Sequence, residues 1–75
     1  MTPENSPIPI PLRGDHITLV QAVKIAGLAE SGGQAKHFVR EGGITVNGQA
    51  EGRPGRKLVA GDRFAIGGQE WVIQP

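Results

Sequence analysis

The sequence predicts an α+β domain: two short helices packed on a small, bent antiparallel sheet. Three observations lead there. Two segments before residue 42 carry apolar residues at helical spacing, each opened by a hydroxyl residue with glutamine three positions later. From Ile44 the apolar period changes to two. The extended runs that follow are punctuated by Asn47-Gly48, Gly61-Asp62 and Gly67-Gly68, all turn dipeptides.

The N-terminal stretch MTPENSPIPIP holds four of the six prolines. It cannot be helical, and prolines at alternate positions exclude a central strand. Residues 1–11 read as a flexible tail, with Ile10 and Leu12 able to lie on the core as a short edge strand. Arg13-Gly14-Asp15 reads as a turn rather than an adhesion motif, since nothing marks the chain for secretion. The domain proper is expected over residues 12–75.

Thr18 and Gln21 have capping-box spacing and mark the start of the first helix. Leu19, Val23 and Ala26 form its apolar stripe, with Val20 beside them, and Gly27 ends it. Lys24 falls away from that stripe. Ser31 and Gln34 repeat the spacing, so Gly32 and Gly33 become the first helical residues of the second helix. Glycine inside a helix costs about 0.8–1 kcal/mol relative to alanine, least harmfully at the end. Ala35, Phe38 and Val39 make the inward face. Gly33, Lys36, His37 and Arg40 share the outward one. Gly42-Gly43 stops the helix.

Asn47-Gly48 predicts a type I′ hairpin turn. The segment GRPGRK, from Gly52 to Lys57, is a basic loop, and Leu58 and Val59 return to the core. A second hairpin turns at Gly67-Gly68. A two-residue loop there pairs Phe64 with Trp71 and Ile66 with Gln69, placing Phe64, Ile66, Trp71 and Ile73 on one face.

Composition excludes several functional classes. The chain's 75 residues suit one small domain, with no cysteine for disulfides or thiolate metal sites. Two histidines, His16 and His37, are a poor basis for a metal centre, and no metal or other cofactor is expected. No run approaches membrane-spanning length and no basic-then-apolar leader opens the chain, so a cytoplasmic location is expected. Net charge is only +1, but its distribution is uneven: residues 31–57 carry +3 and the remainder −2.

The ordered set Gly27-Leu28, Ser31, Ala35-Lys36, Glu41-Gly42, Val46-Asn47-Gly48 and Lys57-Leu58 before Gly61-Asp62 resembles the S4-type RNA-binding domain. The likeness covers about Ile17 to Ile66 and is nearer still to the small stand-alone bacterial (YbcJ-like) members. The resemblance implies the S4-like (αL) fold and binding of structured RNA, often ribosomal or transfer RNA, through the helical pair and the following loop. Carried over by position, Ser31 matches the serine opening the second helix. Lys36 matches a basic position within it, and Arg53, Arg56 and Lys57 match the basic loop. Many S4 domains have arginine where this chain has Gly32; the stand-alone subgroup carries glycine there.

The residues themselves supply chemistry for such a partner. A helix N-terminus offers unpaired N–H groups and about half a positive charge, and phosphates bind at such ends. Bare backbone at Gly32 and Gly33 permits close approach, and Lys36 and Arg40 continue the stripe. Arg53, Arg56 and Lys57 form a loop able to clamp a second strand. Ser31, Gly32, Gly33, Lys36, Arg40, Arg53, Arg56 and Lys57 are therefore the expected RNA-binding residues. Such contacts position a phosphate backbone rather than read bases. Phe38, Phe64 and Trp71 all fall on core faces, which argues against single-strand binding by aromatic stacking. The bland alternative makes Lys36 and Arg40 ordinary surface charges, with Arg40 paired to Glu41 or Glu51.

Enzyme readings find no converging nucleophile, base and acid, and GRPGRK lacks phosphate-loop spacing, so no catalysis is expected. Two other classes remain. One is a protein-interaction module with an incidental basic face. The other is a β-grasp carrier-like protein, although the chain ends Trp71-Val72-Ile73-Gln74-Pro75 without the Gly-Gly that carrier chemistry uses. A monomer is the expected state.

Overall fold

A computed structural model describes residues 7–75. Strand β1 (Ile8–Pro11) is followed by β2 (Ile17–Thr18), helix α1 (Leu19–Ile25) and helix α2 (Gly32–Arg40). Five short strands complete the chain: β3 (Ile44–Val46), β4 (Gln49–Ala50), β5 (Lys57–Leu58), β6 (Arg63–Ile66) and β7 (Gln69–Gln74). The main sheet has the order β1-β7-β6-β3-β4, and β2 and β5 form a separate antiparallel pair. This is the expected α+β arrangement, and the expected cores of both helices are in place.

Both helix starts follow the capping signals. In α1 the Thr18 hydroxyl accepts from the Gln21 N–H, and the Gln21 side chain accepts from the Thr18 N–H, closing the box. In α2 the Ser31 hydroxyl accepts from the Gln34 N–H at 3.2 Å. The return bond differs. Gln34 Oε1 accepts from Glu30 N–H, 2.6 Å away, rather than from Ser31. Leu19, Ala22, Val23, Ala35 and Val39 are fully buried, and Phe38 is half-buried against them.

The two hairpins turn where expected. Asn47 and Gly48 both have positive φ, 52° and 86°, as do Gly67 and Gly68 at 57° and 89°, the signature of type I′ turns. Asn47 does more than turn. Its Oδ1 accepts from Arg63 N–H and its Nδ2 donates to Asp62 Oδ1, tying the first hairpin to the Gly61-Asp62 turn. The β6–β7 register pairs Phe64 with Trp71 and Ile66 with Gln69. The Phe64 and Trp71 rings stack with centroids 5.2 Å apart, and both are buried.

The N-terminal stretch corrects one expectation. A flexible tail running through residue 11 does not hold for Ile8–Pro11, whereas the short edge strand expected at Ile10 and Leu12 does form: β1 adds a fifth strand parallel to β7, with Ile10 opposite Ile73. The sheet is thereby mixed rather than wholly antiparallel. Residues 1–6 of the expected tail lie outside the described residues. Ile10 is buried, and Leu12 N–H donates to Gln74 O at 2.6 Å. In a parallel ladder alternate residues direct both backbone groups to the partner, so Ile8, Ile10 and Leu12 face β7. Pro9 and Pro11 then face outward and bring no N–H to that edge. The prolines that suggested a tail instead blunt an edge strand.

Two outcomes test this packing. Phe64→Ala should lower unfolding free energy by about 3–5 kcal/mol in urea denaturation, as expected for a fully buried ring. A loss under about 1 kcal/mol would remove Phe64 from the centre of the core. The double change Pro9→Val, Pro11→Val restores edge donors. It should raise concentration-dependent association above the parent's in light scattering, and unchanged association would refute the edge argument.

Candidate nucleic-acid interface

The start of α2 is open. Ser31, Gly32 and Gly33 are exposed, and a Cβ built on either glycine meets no atom within 4 Å. Ser31 satisfies the Gln34 N–H through its hydroxyl and the Ala35 N–H through its carbonyl. Among the described residues, the Gly32 and Gly33 N–H groups have no protein acceptor. Two donors at the positive end of a nine-residue helix therefore face solvent unobstructed.

Lys36 and Arg40 lie exposed along the outward face of the same helix. Neither forms an ion pair among the described residues. The alternative that Arg40 pairs with Glu41 or Glu51 is not what the structure shows. Glu41 instead meets His37, with 3.1 Å between Oε2 and Nε2, and Glu51 is engaged elsewhere. Glu41 is thus engaged by His37 and Glu51 by the loop arginines, and neither pairs with Lys36 or Arg40.

Glu51 organises the basic loop. It is 7% exposed, the only buried charged residue among those described. Arg53 donates to it from Nε at 3.0 Å, and from its backbone N–H at the same distance. Arg56 donates from a terminal guanidinium nitrogen at 2.6 Å. The hydrogen bonds from Arg53 and then Arg56 hold the Glu51 pKa down at about 2, against an ordinary value of 4.5. The same contact raises that of Arg53.

The loop so held meets α1. Arg56 O accepts from Leu19 N–H at 2.8 Å, and Pro54 O accepts from Val20 N–H at 3.0 Å. With Thr18 satisfying Gln21, the first three amides of α1 all have partners. The two helix starts therefore differ: α1 is closed by the loop and α2 is open. Lys57, exposed on β5, pairs through its backbone with Thr18.

The expected site residues accordingly fall into two groups. Ser31, Gly32, Gly33, Lys36 and Arg40 form one continuous face of α2. Arg53 and Arg56 sit on the loop that covers the start of α1, and Lys57 follows them on β5. Arg53 and Arg56 are partly neutralised by Glu51, although each guanidinium keeps donors beyond those Glu51 takes. The role of Glu51 was not read from the sequence. Its signal was an acid two and five residues before arginines, in a loop with proline and glycine. Phe64 and Trp71 are buried and Phe38 is half-buried, as their positions predict. Among the described residues no cluster of potential metal ligands forms, and no helix is long and apolar enough to cross a membrane.

A family model described as "S4 domain" matches residues 10–74 of the chain. The chain is 43% identical over 60 residues to a Bacillus subtilis (strain 168) protein named "Probable ribosome maturation protein RlbA". That match covers 80% of this chain and 84% of the relative. It is also 40% identical over 53 residues to the Escherichia coli (strain K12) "Putative RNA-binding protein YbcJ", covering 71% of this chain and 76% of that one.

A lowered carboxyl pKa fixes the sign of a pH effect. Glu51 stabilises the fold fully above its unfolded value of about 4.5, and that contribution is lost as pH falls toward about 2. Melting temperature should therefore fall across this window, and Glu51→Gln should melt lower than the parent at neutral pH with a flatter profile below 4.5. Parallel profiles for the two proteins would contradict the bridging role.

Proposed function

The chain belongs to the S4 domain family, and on that premise we propose that it binds structured RNA through the open face of α2 and the basic loop at the start of α1, without catalysis. The observation that carries this reading is the pair of unpartnered N–H groups at Gly32 and Gly33. They stand at the head of a helix whose outward cations, Lys36 and Arg40, have no acidic partner among the described residues. A phosphate seated at the helix start meets two backbone donors and the helix dipole. The next phosphates meet Lys36 and Arg40. Lys57, with the free donors of Arg53 and Arg56, approaches from the loop.

The recognition is of shape and charge. None of these groups is a bidentate base reader held in a groove, and the backbone donors see only phosphate. A folded RNA presenting a rigid phosphate ridge fits this arrangement better than a flexible strand. The RNA is of ribosomal or transfer type in this reading. The family resemblance supports that class, and so do the printed names of the two relatives, one for ribosome maturation and one for RNA binding. The protein acts as a monomer on its RNA.

Binding to a structured RNA should weaken with salt, with a log–log slope of about −2 to −3 for three phosphate contacts. Lys36→Glu with Arg40→Glu should weaken binding at least about tenfold and shallow that slope by roughly one per cation removed. Circular dichroism should show the fold unchanged, since both side chains are exposed. Parent-like affinity in the double variant, measured by fluorescence anisotropy, would refute the helix face as the site.

A further inference from the structure

A second feature lies against α1. Strand β1 ends at Pro11, and the connection through Arg13 and His16 to β2 leaves an open groove against α1. Its volume is about 570 Å³, within the usual range of roughly 300–1,000 Å³ for small-ligand sites. Ile17 and Pro11 line it with apolar surface. Gln21, Lys24 and Ile25, one exposed face of α1, form the opposite wall.

The chemistry of this lining is specific. Arg13 and His16 are exposed planar groups, and neither has a hydrogen-bond or ion-pair partner among the described residues. Guanidinium and imidazole planes both stack on nucleobases. Lys24 adds a point cation, also unpaired. The Gln21 carbonyl is committed to the Thr18 N–H, which leaves its amide N–H₂ free to donate. Ile25, 55% exposed, offers apolar surface beside Lys24. Among the described residues no acidic side chain lines the groove; Asp15, in the same connection, lies outside the lining.

We infer that this groove receives a single unpaired nucleotide of the RNA docked on α2, its base against Arg13 and His16 and its phosphate at Lys24. The inference rests on the RNA-binding reading and deepens it. A paired stem is too broad to enter, whereas a bulged nucleotide brings a planar base, an apolar edge and one negative charge together. Position agrees. Ile25 ends α1 and Gly32 begins α2, and the chain between them spans at most about 25 Å even if fully extended. That separation is within the reach of one RNA, whose duplex phosphates would lie at Gly32 and Gly33 with a neighbouring bulge in the groove. The Arg-Gly-Asp tripeptide, which reads as a turn, becomes the turn that presents Arg13.

The test compares a fully paired RNA hairpin with the same hairpin carrying one bulged nucleotide, each base in turn, and with free nucleoside monophosphates. The parent should bind at least one bulged hairpin about fivefold or more tighter than the paired one, the size expected of one stacked base. Arg13→Ala with His16→Ala should abolish that preference and leave affinity for the paired hairpin unchanged. Free nucleotides should bind far more weakly than the bulged RNA. Equal affinity of the parent for paired and bulged hairpins, or a preference that survives in the double variant, overturns the groove while leaving the α2 site standing. Tight binding of free nucleotide with no bulge preference overturns RNA as the occupant. Absence of binding to any hairpin refutes both readings.

Discussion

The Glu51 carboxylate, buried between Arg53 and Arg56, is the contact on which the order of the basic loop depends. A carboxylate taken from water is costly unless hydrogen-bonded, and here both oxygens are used by charged donors. Glu51 is itself anchored to the sheet, its N–H donating to Ile44 O. The two arginines therefore hang from a fixed point. Their backbone follows, and the carbonyls of Pro54 and Arg56 reach the first amides of α1. One buried charge thus links the β3–β4 hairpin, the basic loop and the first helix.

That linkage separates two helix starts built on nearly the same sequence rule. Thr18-x-x-Gln21 and Ser31-x-x-Gln34 both set a hydroxyl cap, and both caps form. The difference is what else arrives. At α1 a loop supplies two carbonyls, and no donor is left over. At α2 no described residue supplies an acceptor to the first two amides, and Gly32 and Gly33 carry no side chain that would shield them. Two glycines at the head of a nine-residue helix weaken its intrinsic propensity, by less than the roughly 1 kcal/mol each would cost in the interior. Packing of Ala35 and Val39 offsets that cost, and the bare backbone remains accessible.

Local signals explain what the sequence revealed. Caps, stop glycines and the Asn47-Gly48 and Gly67-Gly68 turns act within a few residues, so helix bounds and hairpin register were legible. The α2 face was legible for the same reason, since helical spacing alone puts Gly33, Lys36 and Arg40 together. Long-range choices were not. Pro9 and Pro11 exclude a central strand but cannot announce a parallel edge against β7, more than 60 residues away. Arg53 and Arg56 read as free cations because their partner is fixed by burial, which spacing does not encode. The groove draws on β1, the following connection, β2 and α1, and no single segment carries its pattern.

The most direct measurement is of individual backbone amides by NMR while a structured RNA is added at low salt. Gly32 and Gly33 should show the largest amide shifts, moving in the direction of a new hydrogen bond, while Leu19 and Val20 stay near their free positions because their donors are already occupied. Unmoved Gly32 and Gly33 amides in a protein that still binds RNA would contradict the open helix start as the anchoring site.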